Sequence, residues 1–91
     1  MKVKPIEWTD FAIKDLDIIF EYISKDSVKN ANDFIDKLIQ NVEELKQFSN
    51  RGRVIPQINR DYYREIFIGN YRVMYKIDKD IIYIMAVINS L

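Results

Sequence analysis

All five arginines of the chain fall between positions 51 and 72, and elsewhere every cation is a lysine. Arginine presents a planar fork of N–H donors that fits a phosphate or a carboxylate two bonds at a time. Tyr62, Tyr63, Tyr71, Tyr75 and Tyr83 stand among or just beyond these arginines. Guanidinium groups for phosphate together with rings for stacking is the grammar of single-stranded nucleic-acid contact. Arg51, Arg53, Arg64 and Arg72 are therefore the candidate target-binding residues. Plainer roles compete with this one. Tyrosine and valine are favoured on strands whatever they bind. Asp10 to Phe48 also carries nine acids against five lysines, so ion pairs to that acidic stretch would absorb the arginines. Composition alone leaves both readings open.

There is no His and no Cys. Ser-His-Asp and Cys-His nucleophilic catalysis are thereby excluded, and the commonest metal ligands are missing. No metal and no cofactor is expected. RNA cleavage without His remains chemically open: one cation would stabilise the charge on a five-coordinate phosphorus while an acid and a base move protons. The available proton carriers are Glu65, Asp61, a tyrosine or a desolvated lysine, and no spacing singles one out. No catalytic residue is assigned from this pattern.

These side chains need a scaffold, and 91 residues allow a single domain, residues 1–91. At this size folding hides only roughly two-thirds of the unfolded chain's surface. A content of 48% apolar and 13% aromatic residues is rich for so small a body, so part of that surface is expected to wait for a partner. Lys2 to Trp8 reads as a short strand interrupted by Pro5. Thr9 is an N-cap candidate for a helix whose face is Ala12, Leu16, Ile19 and Ile23, ending near Lys25. Ser27 caps a second, in which Val28, Ala31, Ile35, Leu38, Val42 and Leu45 recur at spacings of three and four up to about Phe48. The short break between them predicts an antiparallel hairpin. Phe11, Ile18, Phe20, Tyr22, Phe34 and Ile39 widen the apolar stripe beyond that seam; they must cover a sheet or meet a partner.

Past Asn50 the texture is β-rich. Arg51-Gly52-Arg53 reads as a turn or loop and Val54-Ile55-Pro56 as extended chain. Tyr62–Ile68 and Tyr71–Ile77 form a hairpin about Gly69-Asn70, with glycine at a positive φ. A two-residue turn sets Ile68 opposite Tyr71, Phe67 opposite Arg72, Ile66 opposite Val73 and Glu65 opposite Met74. Arg72 and Glu65 are then diagonal neighbours on one face, and Arg64 lies on the other beside Tyr75. Ile81–Ile88, apolar on both faces, reads as a central, doubly covered strand. The fold class is α+β: an N-terminal strand, an antiparallel helical hairpin and a three-stranded antiparallel β-meander. The N-terminus is too short and charged for a signal segment, and no apolar run is long enough to span a bilayer. A soluble, cytoplasmic protein with no membrane contact is expected.

The order of these pieces resembles a known family. Asp15-Leu16 with Tyr22-Ile23, Ala31 through Leu38, Arg51-Gly52-Arg53-Val54-Ile55-Pro56, Tyr63-Arg64-Glu65 and above all Tyr71-Arg72-Val73-Met74-Tyr75-Lys76-Ile77 resemble the RelE/ParE superfamily of toxins from type II toxin-antitoxin systems, over about Trp8 to Ile88. The resemblance implies a small α+β fold, growth inhibition linked to stress response or plasmid stabilization, and neutralisation by a cognate antitoxin that wraps the toxin with a helix and an extended segment. RelE-like members cleave mRNA on the ribosome, whereas ParE-like members poison DNA gyrase without hydrolysing anything. The helical hairpin and the Gly-Arg-Val-Ile-Pro stretch look more like the ParE side. Arg72 matches a position that nuclease members use near the scissile phosphate, with Glu65 as its companion only if the chain is RelE-like. Asn89 stands where those members often have a His, and no basic or aromatic residue follows it. The zero net charge also offers less counterion release than a strongly basic RNA binder would. The favoured reading is a gyrase-binding toxin that is not an enzyme. The alternatives are a ribosome-dependent mRNA endonuclease and a weakened relative that keeps antitoxin binding but little toxicity.

Overall fold

The structure, a computed structural model, describes residues 3–91. Its helical layer is set by two caps. Thr9 and Ser27 sit in extended backbone, and their hydroxyls accept from Ala12 N at 3.2 Å and from Asn30 N at 3.1 Å. Each satisfies a donor that a helix start leaves without a partner. Helix α1 spans Asp10–Ser24 and α2 spans Val28–Glu43, so only three residues separate them and they pack as a hairpin. The buried positions Ala12, Ile19, Ala31, Leu38, Val42 and Leu45 are those of the apolar spacing. The second helix is shorter than its periodicity suggests. It runs about 24 Å and then tightens into a 3-10 turn at Glu44–Lys46, which carries Leu45 into the core. A second 3-10 turn follows at Ser49–Arg51.

Against this layer lies a five-stranded sheet: β1 (Ile6–Trp8), β2 (Arg53–Val54), β3 (Tyr63–Ile68), β4 (Tyr71–Ile77) and β5 (Ile82–Asn89), in the order β1-β5-β4-β3-β2. Strand β1 runs parallel to β5, and every other pairing is antiparallel. The N-terminal strand starts after Pro5, whose carbonyl accepts from Ile82 N at 2.9 Å; Lys2 lies outside the described residues. Proline thus stands just before the strand, where its missing N–H costs the ladder nothing. The hairpin register follows the sequence spacing, with Ile68 opposite Tyr71 and Glu65 opposite Met74. Gly69 has a φ of 57° while Asn70 does not share the positive φ, as in a type II′ turn.

Three expectations need correction. Arg53 is not part of the loop: with Val54, extended as expected, it forms a two-residue edge strand on β3. The central strand is β4 rather than β5. Nor is β5 covered on both sides: Ile82, Ile84 and Val87 are buried under the helices, while Met85 is exposed and Tyr83 and Ile88 are half-buried on the other face. An extra residue at Met85 causes a bulge, because Met74 pairs with Ala86 and Tyr75 with Ile84.

Candidate functional site

Alternation along the strands sorts the site residues between the two sheet faces. Ile66, Ile68, Val73, Tyr75, Ile82, Ile84 and Val87 join the helices in one core. Arg53, Tyr63, Glu65, Phe67, Arg72, Met74 and Lys76 share the opposite face by register, and no helix among the described residues covers it.

At the centre of that face is a buried carboxylate. Glu65 is directly opposite Arg53 and diagonal to Arg72, and its side chain is 0% exposed. Arg53 Nε donates to Oε2 at 2.7 Å and Arg72 Nη1 donates to Oε1 at 3.2 Å. Each oxygen therefore has a charged donor, which is what a carboxylate taken out of water requires. The two guanidinium groups also form the lid: the Arg53 side chain is 59% exposed and lies 5.1 Å above the Phe67 ring, while that of Arg72 is 26% exposed. Arg72 Nε is buried with no acceptor among the described residues. Lys76 sits over the Tyr63 ring at 5.7 Å. Beside them is an apolar cavity of about 150 Å³ lined by Ile55, Ile58, Tyr63, Met74 and Met85.

The other two candidate arginines are on the helix side and act as braces. Arg51 donates to Glu44 Oε2 at 2.9 Å and to Asn41 Oδ1 at 3.0 Å, tying the second 3-10 turn to the end of α2. Arg64, beside Tyr75 in the register, donates to Asp61 Oδ1 at 2.6 Å and to the Gly52 carbonyl at 2.8 Å. Its side chain is only 14% exposed. The structure thus gathers Arg53, Glu65 and Arg72 on one surface and holds Arg51 and Arg64 apart from it.

Proton carriers are scarce around Arg72. Glu65 has both oxygens in ion pairs, and Asp61 is bound to Arg64. The Tyr75 hydroxyl faces the core, accepting from Gly52 N at 2.9 Å and donating to the Ser49 carbonyl at 2.7 Å. Burial raises its pKa above the ordinary 10.0, against the opposing pull of the Gly52 N–H, Arg64 and Arg51, so it stays neutral. No cluster of acids suited to hold a metal occurs among the described residues.

A second surface escaped the sequence reading. Strand β1 ends at Trp8 opposite Ile84, so the outer edge of β5 continues without a neighbouring strand. Helix α1 covers part of it: Thr9 Oγ1 donates to the carbonyls of Ile84 and Met85, and Asp15 Oδ2 accepts from Val87 N at 2.9 Å. Beyond Asp15 a groove of about 290 Å³ runs between α1 and the end of β5, lined by Ile18, Tyr22, Tyr71, Val87 and Asn89. Phe11, Ile18 and Tyr22 are exposed, Phe11 at 80%, so these members of the wide apolar stripe do not cover the sheet. The signal was in the sequence as a surplus of apolar positions, but its place beside a strand edge was not.

Residues 6–90 match the family described as ParE toxin of type II toxin-antitoxin system, parDE. The chain belongs to the ParE toxin family. No curated protein matches it. Among solved structures, one titled "Chromosomal ParDE TA system from P. aeruginosa" is similar at a TM-score of 0.81 and 20% identity, covering 98% of each chain. At that identity the likeness shows the shared α+β fold. No described helix is long and apolar enough to cross a membrane.

Proposed function

We propose that this ParE-family chain arrests growth by binding a protein target in the cytoplasm, DNA gyrase, and that a cognate antitoxin neutralises it. The observation that carries the non-enzymatic reading is Glu65. Arg72, which by resemblance matches a position that nuclease members use near the scissile phosphate, is engaged by a carboxylate with no exposed surface. Glu65, Asp61 and the Tyr75 hydroxyl, three of the candidate proton carriers, are all engaged by other partners. A surface with spare guanidinium N–H groups and a neighbouring apolar cavity suits contact with an acidic protein surface better than cleavage of RNA. Arg53 and Arg72 make that contact, and Arg51 and Arg64 shape the loop beside it. The exposed stripe of α1 and the open edge of β5 suit an antitoxin that presents a helix and an extended segment.

Pulse-labelling of DNA and protein synthesis in the first minutes after induction tests this reading. Early loss of DNA synthesis with continuing translation is the expected result. Early loss of translation with specific cuts in translated messages would replace it with the ribosome-dependent endonuclease, and loss of neither with an antitoxin-binding protein of little toxicity.

A further inference from the structure

The Arg53–Glu65–Arg72 cluster lies on the sheet face that no described helix shields, yet its carboxylate is the one buried charged side chain among the described residues. Two cations and one anion leave a unit of positive charge. Arg53 is bonded to Glu65 through Nε and Arg72 through Nη1, with no other acceptor for either guanidinium among the described residues. A carboxylate is a planar two-oxygen acceptor, and paired guanidinium forks would hold a phosphate in the same way. The neighbouring rings, Phe67 under Arg53 and Tyr63 under Lys76, are surfaces on which a base or another flat group could stack.

We infer that Arg53 and Arg72 form an oxyanion site whose inner position is taken by the chain's own Glu65, so that a free phosphate or carboxylate is kept out from between the two guanidinium groups while that carboxylate is in place, and only their outward N–H groups remain for an acceptor on a docked surface. The competition is intramolecular. Glu65 stands on β3 between the strands that carry the two arginines, and its effective concentration at the site far exceeds that of any free anion. Polyanions lose twice over, because the inward donors are occupied and because Glu65 cuts the charge of the cluster from +2 to +1. The inference goes beyond the gyrase reading and does not depend on it, since it concerns which anions the face accepts.

The test compares the full-length chain with Glu65→Gln, which removes the charge at nearly constant shape, and Glu65→Ala, which leaves room for an external anion. Thermal unfolding is followed in chloride, acetate and inorganic phosphate at matched ionic strength, and binding of a labelled single-stranded RNA oligonucleotide is titrated against salt. Both variants should be stabilised by oxyanions relative to chloride while the parent is indifferent, because a ligand of the folded state raises its stability by mass action. Phosphate exceeding acetate would identify a phosphate-type site, and equal responses a carboxylate-type one. The log–log salt slope for RNA should steepen by about 0.7 for each phosphate gained. Adding Arg72→Gln to Glu65→Gln should abolish both gains. Equal anion responses in parent and variants would overturn the inference, as would a response that survives loss of Arg72. If a variant is unfolded in chloride, recovery of its near-UV circular dichroism in phosphate supports the site, and failure to recover refutes it.

Discussion

Replacing Gly52 by alanine should destabilise the fold far more than a buried methyl group usually does. Gly52 has a φ of −75° and a ψ of 158°, so alanine fits the backbone and only space opposes it. A Cβ there would stand 2.6 Å from the Glu65 carbonyl oxygen, 2.6 Å from the Tyr75 hydroxyl and 2.9 Å from Tyr75 Cε1. The carbonyl belongs to the sheet and the ring is fully buried, so neither can swing aside. Overpacking of this kind costs about 1–3 kcal/mol. The strained Gly52 N–Tyr75 hydroxyl bond adds about 1 kcal/mol, and the stiffer unfolded chain returns about 0.4–1 kcal/mol. The net is about 1–3.6 kcal/mol, a fall in Tm of about 4–29 °C for a domain of this size. Tyr75→Phe alone should cost about 1–2 kcal/mol, because Gly52 N and the Ser49 carbonyl lose a partner. It also removes one of the clashing atoms, so the double variant should be more stable than the sum of the singles by about 0.5–1.5 kcal/mol. Thermal and urea unfolding of the four proteins read the cycle. An unchanged Tm for Gly52→Ala, or strict additivity, would show that the loop moves away freely and that the contact is not rigid.

Three further outcomes are expected. Tyr75 has a folded-state pKa raised by burial, so the folded chain keeps a proton that the unfolded chain releases. Its contribution is full below pH 10, declines as pH rises through the folded value, and should vanish from the pH–stability curve of Tyr75→Phe. Asp15→Ala leaves Val87 N without its acceptor at the unpaired edge of β5; amide exchange at Val87 should accelerate selectively, and uniform acceleration over the sheet would argue against local capping. Ile18→Lys with Tyr22→Asp, both at exposed positions on α1, should change stability by no more than about 0.5 kcal/mol each while abolishing rescue by the antitoxin; preserved rescue would move the antitoxin off this groove.

What was legible in the sequence was what local chemistry controls. The caps at Thr9 and Ser27, the buried seam from Ala12 to Leu45 and the register about Gly69-Asn70 each follow from a spacing of a few residues. That register was enough to place Arg72 and Glu65 diagonally on one face. Arg53 could not be added, because its position opposite Glu65 depends on a two-residue strand that no alternation announces. The bulge at Met85 and the Asp15–Val87 contact are also long-range matters: one depends on how β5 fits β4, the other on two groups 72 residues apart. The apolar run of β5 misled for a related reason. Residues apolar on both faces predict double cover, but the second face of a toxin-family sheet can stay open.

The choice between a binding face and ion pairs for the arginines has a divided answer, and the division bears on function. Arg51 does pair with an acid at the end of α2, and Arg64 braces the loop through Asp61 and Gly52. Neither can leave its partners without loosening the scaffold, so neither is well suited to grip a target. Arg53 and Arg72 are different: their acid is on the same sheet, and they retain guanidinium N–H groups for a further acceptor. Removing Arg72 would leave Glu65 buried with a single donor, which couples the integrity of the surface to Arg72 itself. Loss of toxicity in Arg72→Ala therefore cannot by itself distinguish a lost contact from a disturbed sheet. Arg53→Ala likewise leaves Glu65 with a single donor, so for both arginines toxicity is read beside urea unfolding of the same variant. If the target is an acidic protein surface, Arg53→Ala should lose more toxicity than its loss of stability accounts for, whereas Arg51→Ala should act mainly through stability.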